Sequence, residues 1–396
     1  MVRTGLDRLV STGFASLAGR SLGVLCNQAS IDSNIDHILD HMEPLHRSGF
    51  LRVKAVFGPQ HGLFGHTQDN MIEWEGKADE RRGWPVHSLY GEHRDPTDEV
   101  LDDVDLLLID LPDVGSRYYT FIWTTALCMR ACGRLGIPVL VLDRPNPIGG
   151  SRVEGTVLSP EFASFVGLHP LPMRHGMTLG ELARYLQSEF YTRCELRVEA
   201  MEGWDRQMGF ADTGLPWAMP SPNMPTVDTA LVYPGGCLLE ATNLSDGRGT
   251  TRPFEIAGAP WLDGHRFCEA LNQTGLPGVK FRPIQFEPTF NKYAGEICEG
   301  CFIHVLDREA FEPAITAVAL MQEGMRQSPD FAWNPPPYEY ELQKLPVDVL
   351  AGNSWLRGEV ESGTPVARVR QRFAEECADF ASTRRKFLGY PLPTAR

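Results

Sequence analysis

The 396-residue chain lacks every glycine loop that cradles phosphate. No strand is followed by G-x-G-x-x-G and no G-x-x-x-x-G-K-[ST] occurs, so neither a dinucleotide nor a nucleoside triphosphate is supported and no cofactor is implied. Long apolar runs are missing too. Residues 1–20 carry Arg3, Asp7, Arg8 and Arg20 with no apolar core of signal-peptide length, and no later stretch is apolar for long enough to cross a bilayer. The expectation is a cytoplasmic protein without a membrane partner. Positive charge is in deficit: 37 Lys and Arg against 51 Asp and Glu give a formal charge of −14, which argues against a nucleic-acid or anionic-membrane surface and leaves small molecules as partners. Cysteine frames are absent as well. Nine cysteines, an odd number without a repeating spacing, fit reduced thiols. Cys298 and Cys301 form a lone C-x-x-C with no second pair and no His at finger spacing, so they read as strand or turn side chains and no metal is expected.

The chain does have a soluble globular composition, 42% hydrophobic and 22% charged, and is too long for one core of ordinary size. Residues 20–28, 51–57, 104–110 and 137–142 are short apolar runs that read as strands. Residues 36–47 and 119–135 read as helices between them. Strands alternating with helices predict a parallel sheet with right-handed crossovers, an α/β Rossmann-like domain over residues 1–150. Beyond Gly149-Gly150 the texture changes to short segments broken by Pro and Gly. Helices are expected from Thr178 (with Glu181 as a capping box) to Phe190, over 263–272 and 309–326, and from Thr364-Pro365 onward. Strands are expected over 231–241 and 300–305, and an ordered loop over 203–225. This predicts a second, α+β domain over residues 151–396 that completes a cleft.

The segments just past the four predicted strands are chemically rich: Asn27-Gln28, then Gln60-His61, then Asp110, Asp113 and Arg117, then Asp143-Arg144-Pro145-Asn146. A parallel sheet places all its carboxyl ends on one side, so these groups should gather into one polar crevice. Asp and Asn also cap helices and make turns, which accounts for about half of them.

Several strings together resemble one family: FGPQHGLFG at 57–65, HSLYG at 87–91, DLPDVGSRYYTFIWT at 110–124, DRPNPIGG at 143–150, SFVGLHPLPMRHGMTLGEL at 164–182, PSPNMPT at 220–226 and LLEATNLSDGRGTTRPFEIAGAPW at 238–261. They resemble the NamZ-type exo-β-N-acetylmuramidases, long known as a domain of unknown function. The resemblance runs from the first strand to the C-terminal helix. It implies a glycoside hydrolase that removes N-acetylmuramic acid from the non-reducing end of peptidoglycan fragments in a cleft between two domains, with no metal or nucleotide. Where the family often has Pro-Glu-His-Gly, its Glu being the catalytic acid, this chain has Pro59-Gln60-His61-Gly62. Gln60 cannot ionise or supply a carboxylic proton.

Glycoside hydrolysis needs two carboxyl groups across the scissile bond. Among Glu73, Glu75, Glu154, Glu240, Asp246 and Glu255 the pair expected to act is Glu240 and Asp246, which flank the turn at Thr242-Asn243 in the most distinctive string. His61 and His175 each sit in a glycine-containing motif turn and are candidates to hydrogen-bond a sugar or tune an acid. Arg117, Arg144, Arg248 and Arg252, with Arg174 as a fifth, are candidates to grip the lactyl carboxylate of muramic acid, because a guanidinium binds a carboxylate through two parallel hydrogen bonds. Their alternative is an ion pair with Asp110, Asp113, Asp143 or Asp246. Tyr118 is a candidate ring for a sugar face. Asp143, Asn146, Asn223 and Asn243 complete the expected substrate-binding set, with Gln60, His61, Arg117 and Asn146 on the Rossmann-like side and Asn223, Asn243 and Arg248 opposite.

Overall fold

The computed structural model describes residues 1–69 and 71–391. Four apolar runs form strands close to the expected bounds: β1 (Ser21–Cys26), β2 (Arg52–Gly58), β4 (Leu106–Asp110) and β5 (Val139–Leu142). Short β3 (Val86–Ser88) lies beside β2. Strands β6 (Glu154–Val157) and β7 (Pro172–Arg174) pair as an antiparallel ribbon, and β8 (Leu196–Glu199) returns to the first sheet. The six-stranded sheet has the order β3-β2-β1-β4-β5-β8 with all neighbours parallel. Its central strands are buried along their whole length, which is why they read as continuous apolar runs rather than alternating ones. The helix Phe121–Leu135 crosses from β4 to β5, and β8 is drawn from well beyond residue 150.

A second sheet, antiparallel, has the order β10-β11-β9, with β9 (Ile256–Ala259), β10 (Val279–Phe286) and β11 (Cys298–Val305). Helices Gly264–Gln273 and Pro313–Gln327 lie against this part of the molecule, and the C-terminal helix Val366–Thr383 packs on β6. The architecture is α/β with two parts, and the two sheets share one continuous apolar core.

One expected strand is a helix. Residues 231–241 lie in the helix Val227–Gly236 and the 3-10 turn Cys237–Ala241. The segment is buried almost all round, so its apolar run carries no face to distinguish a period of 3.6 from a period of 2. The start signal was present: the Thr226 hydroxyl accepts from the Thr229 N–H at 3.2 Å. Gly235 is required where the helix meets its neighbour, since a Cβ there would sit 1.9 Å from the Pro313 carbonyl oxygen. The other helices match with small shifts, and residues 203–225 form a loop interrupted only by the short helix Phe210–Thr213. All nine cysteines are buried free thiols, with Cys298 and Cys301 on β11. Among the described residues no helix is long and apolar enough to cross a membrane.

Candidate active site

Strand β2 ends at Gly58, where a Cβ would lie 2.7 Å from the Trp74 ring and 2.8 Å from the Leu63 nitrogen. The chain therefore turns tightly through Pro59-Gln60-His61-Gly62, with Trp74 Nε1 donating to the Pro59 carbonyl at 3.0 Å. His61 and Gly62 both have positive φ, 70° and 85°. His61 Nδ1 lies 2.8 Å from the Thr67 carbonyl, which can only accept, so Nδ1 carries the proton and Nε2 is left as an acceptor. Burial, reinforced by the nearby Arg248 charge, pushes its pKa down to about 4, although the Thr67 carbonyl opposes this.

After β4 the chain passes through Tyr118-Tyr119-Thr120 into the crossover helix. Thr120 Oγ1 donates to Gln60 Oε1 at 2.7 Å, so the carboxamide oxygen is fixed and its NH₂ is left toward Glu339 in the pocket wall. These two segments meet Ser221, Asn223 and Met224, the helix carrying Tyr233, the 3-10 turn carrying Glu240, the loop carrying Arg248, and Tyr338-Glu339. Together they line a partly open pocket with a cavity volume of about 40 Å³. Tyr118, Tyr119, Tyr233 and Phe254 supply rings, and Tyr118 Oη is buried without a hydrogen-bond partner among the described residues.

The charged wall of the pocket is a network around Arg248. Its Nη2 donates to Glu240 Oε1 at 2.7 Å and its Nη1 to Asp246 Oδ2 at 2.9 Å, while the Phe254 ring centroid lies 4.7 Å from the guanidinium carbon. Tyr338 Oη donates to the other Glu240 oxygen at 2.7 Å. Lys292 Nζ lies 3.8 Å from Asp246 and donates to the Leu239 and Leu244 carbonyls at 2.8 and 2.9 Å. Burial alone would raise the Asp246 pKa, but Arg248 and Lys292 outweigh it and hold the carboxyl below its ordinary value. Two acids and two cations thus compensate one another, as buried charges must.

Glu339 is the second carboxyl group in the pocket wall, 3% exposed. Tyr90 Oη donates to its Oε2 at 3.0 Å. Burial pushes its pKa up to about 7, the Tyr90 hydrogen bond pulling the other way and the charge of Glu240 adding to the rise. Its nearest cation, Arg94, is stacked between Tyr90 and Tyr340 and paired with Glu73 at 3.1 Å.

Of the expected site residues, Gln60, His61, Tyr118, Asn223, Glu240 and Arg248 line this one pocket. Asn223 exchanges hydrogen bonds with Gln68, at 2.8 Å to its carbonyl and 3.2 Å from its amide, so it also braces the loop after His61. The rest are elsewhere. Asp246 stands behind Arg248 and does not reach the pocket. Arg117 is fully buried and donates to the carbonyls of Thr156 and Leu171, both at 2.7 Å, and of Leu350 at 2.6 Å, tying the first sheet's loop to the second part of the chain. Arg144 grips Asp110 through two hydrogen bonds of 2.6 and 2.7 Å and lines a separate pocket with Ala29, Asp32 and Asp113. Asp143 accepts from the Thr178 hydroxyl and Gly180 N–H, both at 2.8 Å, and from Tyr390 at 2.6 Å, so it anchors a helix start and the chain's end. Asn146 holds its own turn by bonding Met177 and Ile148, and His175 is buried against Asp113 at 3.2 Å. Asn243 bonds Asp330 and Ala332, and Arg252 pairs with Glu255 at 3.3 Å, both away from the pocket. Arg174 is buried on β7, donating to the Ile148 carbonyl at 2.6 Å, and Glu73 and Glu75 are exposed.

The polar strand ends do converge, but most satisfy one another. The edge near β2 and the residues just before the crossover helix line the pocket described above, and a second pocket lies along the same edge beside Ala29, Asp113 and Arg144. Arg248 lines the pocket with two of its five N–H donors engaged by Glu240 and Asp246. Sequence reading missed Thr120, Ser221, Tyr233, Tyr338 and Glu339. Thr120 lies inside one of the motif strings, but Tyr338 and Glu339 sit in a Pro-rich stretch more than 270 residues from Gln60 with no local pattern that marks them.

Comparison with known proteins covers nearly the whole chain. Residues 22–228 match the family model described as exo-beta-N-acetylmuramidase NamZ, N-terminal, and residues 231–390 match the corresponding C-terminal model. The chain is 42% identical over 389 residues to the peptidoglycan beta-N-acetylmuramidase NamZ of Bacillus subtilis (strain 168), covering 98% of this chain and 91% of that protein. Crystal structures of two DUF1343 family proteins from Bacteroides fragilis NCTC 9343 superpose with TM-scores of 0.87 and 0.76, at 31% and 25% identity. They cover 98% and 99% of this chain and 99% and 100% of theirs. With both family models matched end to end, the chain belongs to the NamZ exo-β-N-acetylmuramidase family of glycosidases.

Proposed function

We propose that this protein hydrolyses the glycosidic bond of a non-reducing terminal N-acetylmuramic acid in peptidoglycan fragments, an exo-acting step suited to cytoplasmic recycling of muropeptides. The observation that carries the reading is the pocket walled by aromatic rings and by Glu240, which Arg248 and Tyr338 hold in place. Rings beside polar groups suit the two faces of a pyranose. The relative from Bacillus subtilis supports the sugar and the polymer.

One residue favours a second reading. Gln60 stands where the family often has its acidic Glu, and a protein that kept the pocket but lost the acid would bind sugar without cleaving it. Release of a chromophore from a 4-nitrophenyl β-N-acetylmuraminide, run beside calorimetric titration with N-acetylmuramic acid, separates the two. Turnover supports the glycosidase, and binding without turnover supports the sugar-binding protein. Absence of both signals contradicts each reading.

A further inference from the structure

We propose that Glu339 is the proton donor of this glycosidase, supplying from the second part of the chain the acid that Gln60 cannot supply. The inference rests on the hydrolytic reading above and names the residue that reading leaves open.

Four observations support Glu339 in that role. It lines the pocket together with Gln60, Glu240 and the tyrosines, so it is available to a bound sugar. It shares the pocket wall with Gln60, so a proton held on Glu339 is near the position where the family's acid stands. Its backbone is held in an unfavourable conformation: Tyr338 and Glu341 exchange backbone hydrogen bonds of 2.9 Å across a two-residue turn whose central residues, Glu339 and Tyr340, have φ of 45° and 69°. Such turns prefer Asn-Gly, and a bulky residue with positive φ is strained, a strain that persists where the side chain it presents is needed. Finally, its surroundings favour the protonated form. The groups facing it are Tyr90, Tyr338, Tyr340, Glu240, Gln60 and Arg94; the only cation among these, Arg94, is committed to Glu73, and Glu240 disfavours a second negative charge. Glu240 is paired with Arg248 and Glu339 is not, which is the asymmetry that separates an acid from a base.

In the balanced step, Glu339 gives its proton to the glycosidic oxygen, the bond from C1 to that oxygen breaks with the electron pair staying on oxygen, and the reducing-side sugar departs as an alcohol. Water forms the new bond at C1 and gives a proton to the Glu240 carboxylate. Exchange with solvent then returns a proton to Glu339 and removes one from Glu240.

The test compares wild type, Glu339→Gln and Glu339→Asp on two substrates: the disaccharide N-acetylmuramyl-β-1,4-N-acetylglucosamine, whose leaving oxygen needs a proton, and the 4-nitrophenyl muraminide, whose leaving group does not. Glu339→Gln should lose ~10²–10⁴-fold in kcat on the disaccharide and keep most of its rate on the aryl substrate, while Glu339→Asp restores part of the disaccharide rate. The alkaline limb of the wild-type profile should vanish in Glu339→Gln. A merely structural role would lower both rates together and leave the pH profile in place, and that outcome would overturn the proposal. Wild-type binding of N-acetylmuramic acid without turnover would overturn it too. Absence of both binding and turnover in the wild type would refute the hydrolytic reading itself.

Discussion

Replacing Gln60 by Glu puts the family's residue back into a pocket that already holds Glu339, and the contacts of Gln60 fix the consequence. One oxygen of the new carboxyl keeps the 2.7 Å hydrogen bond from Thr120, so the other is left toward Glu339 in the pocket wall. Two carboxylates about 4 Å apart repel by about 4 kcal/mol at an effective dielectric of about 20, or about three pK units. Relaxation and partial solvation reduce this, but a rise of about one unit or more is expected for the last proton, which then belongs to the pair. With Glu339 at about 7 in the wild type, roughly one-tenth of the molecules hold the proton at pH 8. A pair retaining its last proton up to about pH 8 would hold it in roughly half of them, so Gln60→Glu should turn over the disaccharide about five-fold faster than wild type at pH 8. At pH 6, where both forms are protonated, the difference should be small. The assay is kcat/KM for the disaccharide between pH 5 and 9. An alkaline limb that stays in place, with a uniformly higher or lower rate, would mean that position 60 acts independently of Glu339 and would refute the coupling.

Arg248→Met removes the cation between two buried acids, Glu240 and Asp246, and should cost about 3–5 kcal/mol of stability by denaturant unfolding. Arg248→Lys should recover only part of this, because an ammonium cannot span both carboxylates as the fork does. His61 has its pKa lowered, so the stability tied to its neutral form is present above about pH 6.5 and is lost as the pH falls toward about 4. In thermal unfolding, His61→Gln should therefore show a shallower decline across that acid window than wild type, and parallel curves would contradict it. Arg117→Met should unfold the protein more readily, because the Thr156 and Leu350 carbonyls lose this donor at about 1–3 kcal/mol each while Leu171 keeps the Leu158 N–H, and any folded fraction should bind N-acetylmuramic acid with unchanged affinity in calorimetry.

The sequence by itself determined the parallel sheet. The runs now forming β1, β2, β4 and β5 are apolar throughout because both faces of those strands are covered, and the turn at Gly58-Pro59 stops β2 wherever the rest of the chain goes. It also determined that polar residues would collect along one edge, and its motif strings carried the family. Local pattern ran out where burial erased it: residues 231–241 are apolar on all sides, so helix and strand could not be told apart. Tertiary structure alone decided which polar residues are available to a ligand. Arg117, Arg144, Asp143 and Asn146 look like site residues in the chain, but the interior cannot leave charges and amides unpaired, and each is consumed by a partner brought from 30 to more than 200 residues away. Glu339 is the converse. Nothing beside it in sequence marks it, yet the fold sets it in the same pocket wall as Gln60, and burial pushes its pKa up to about 7.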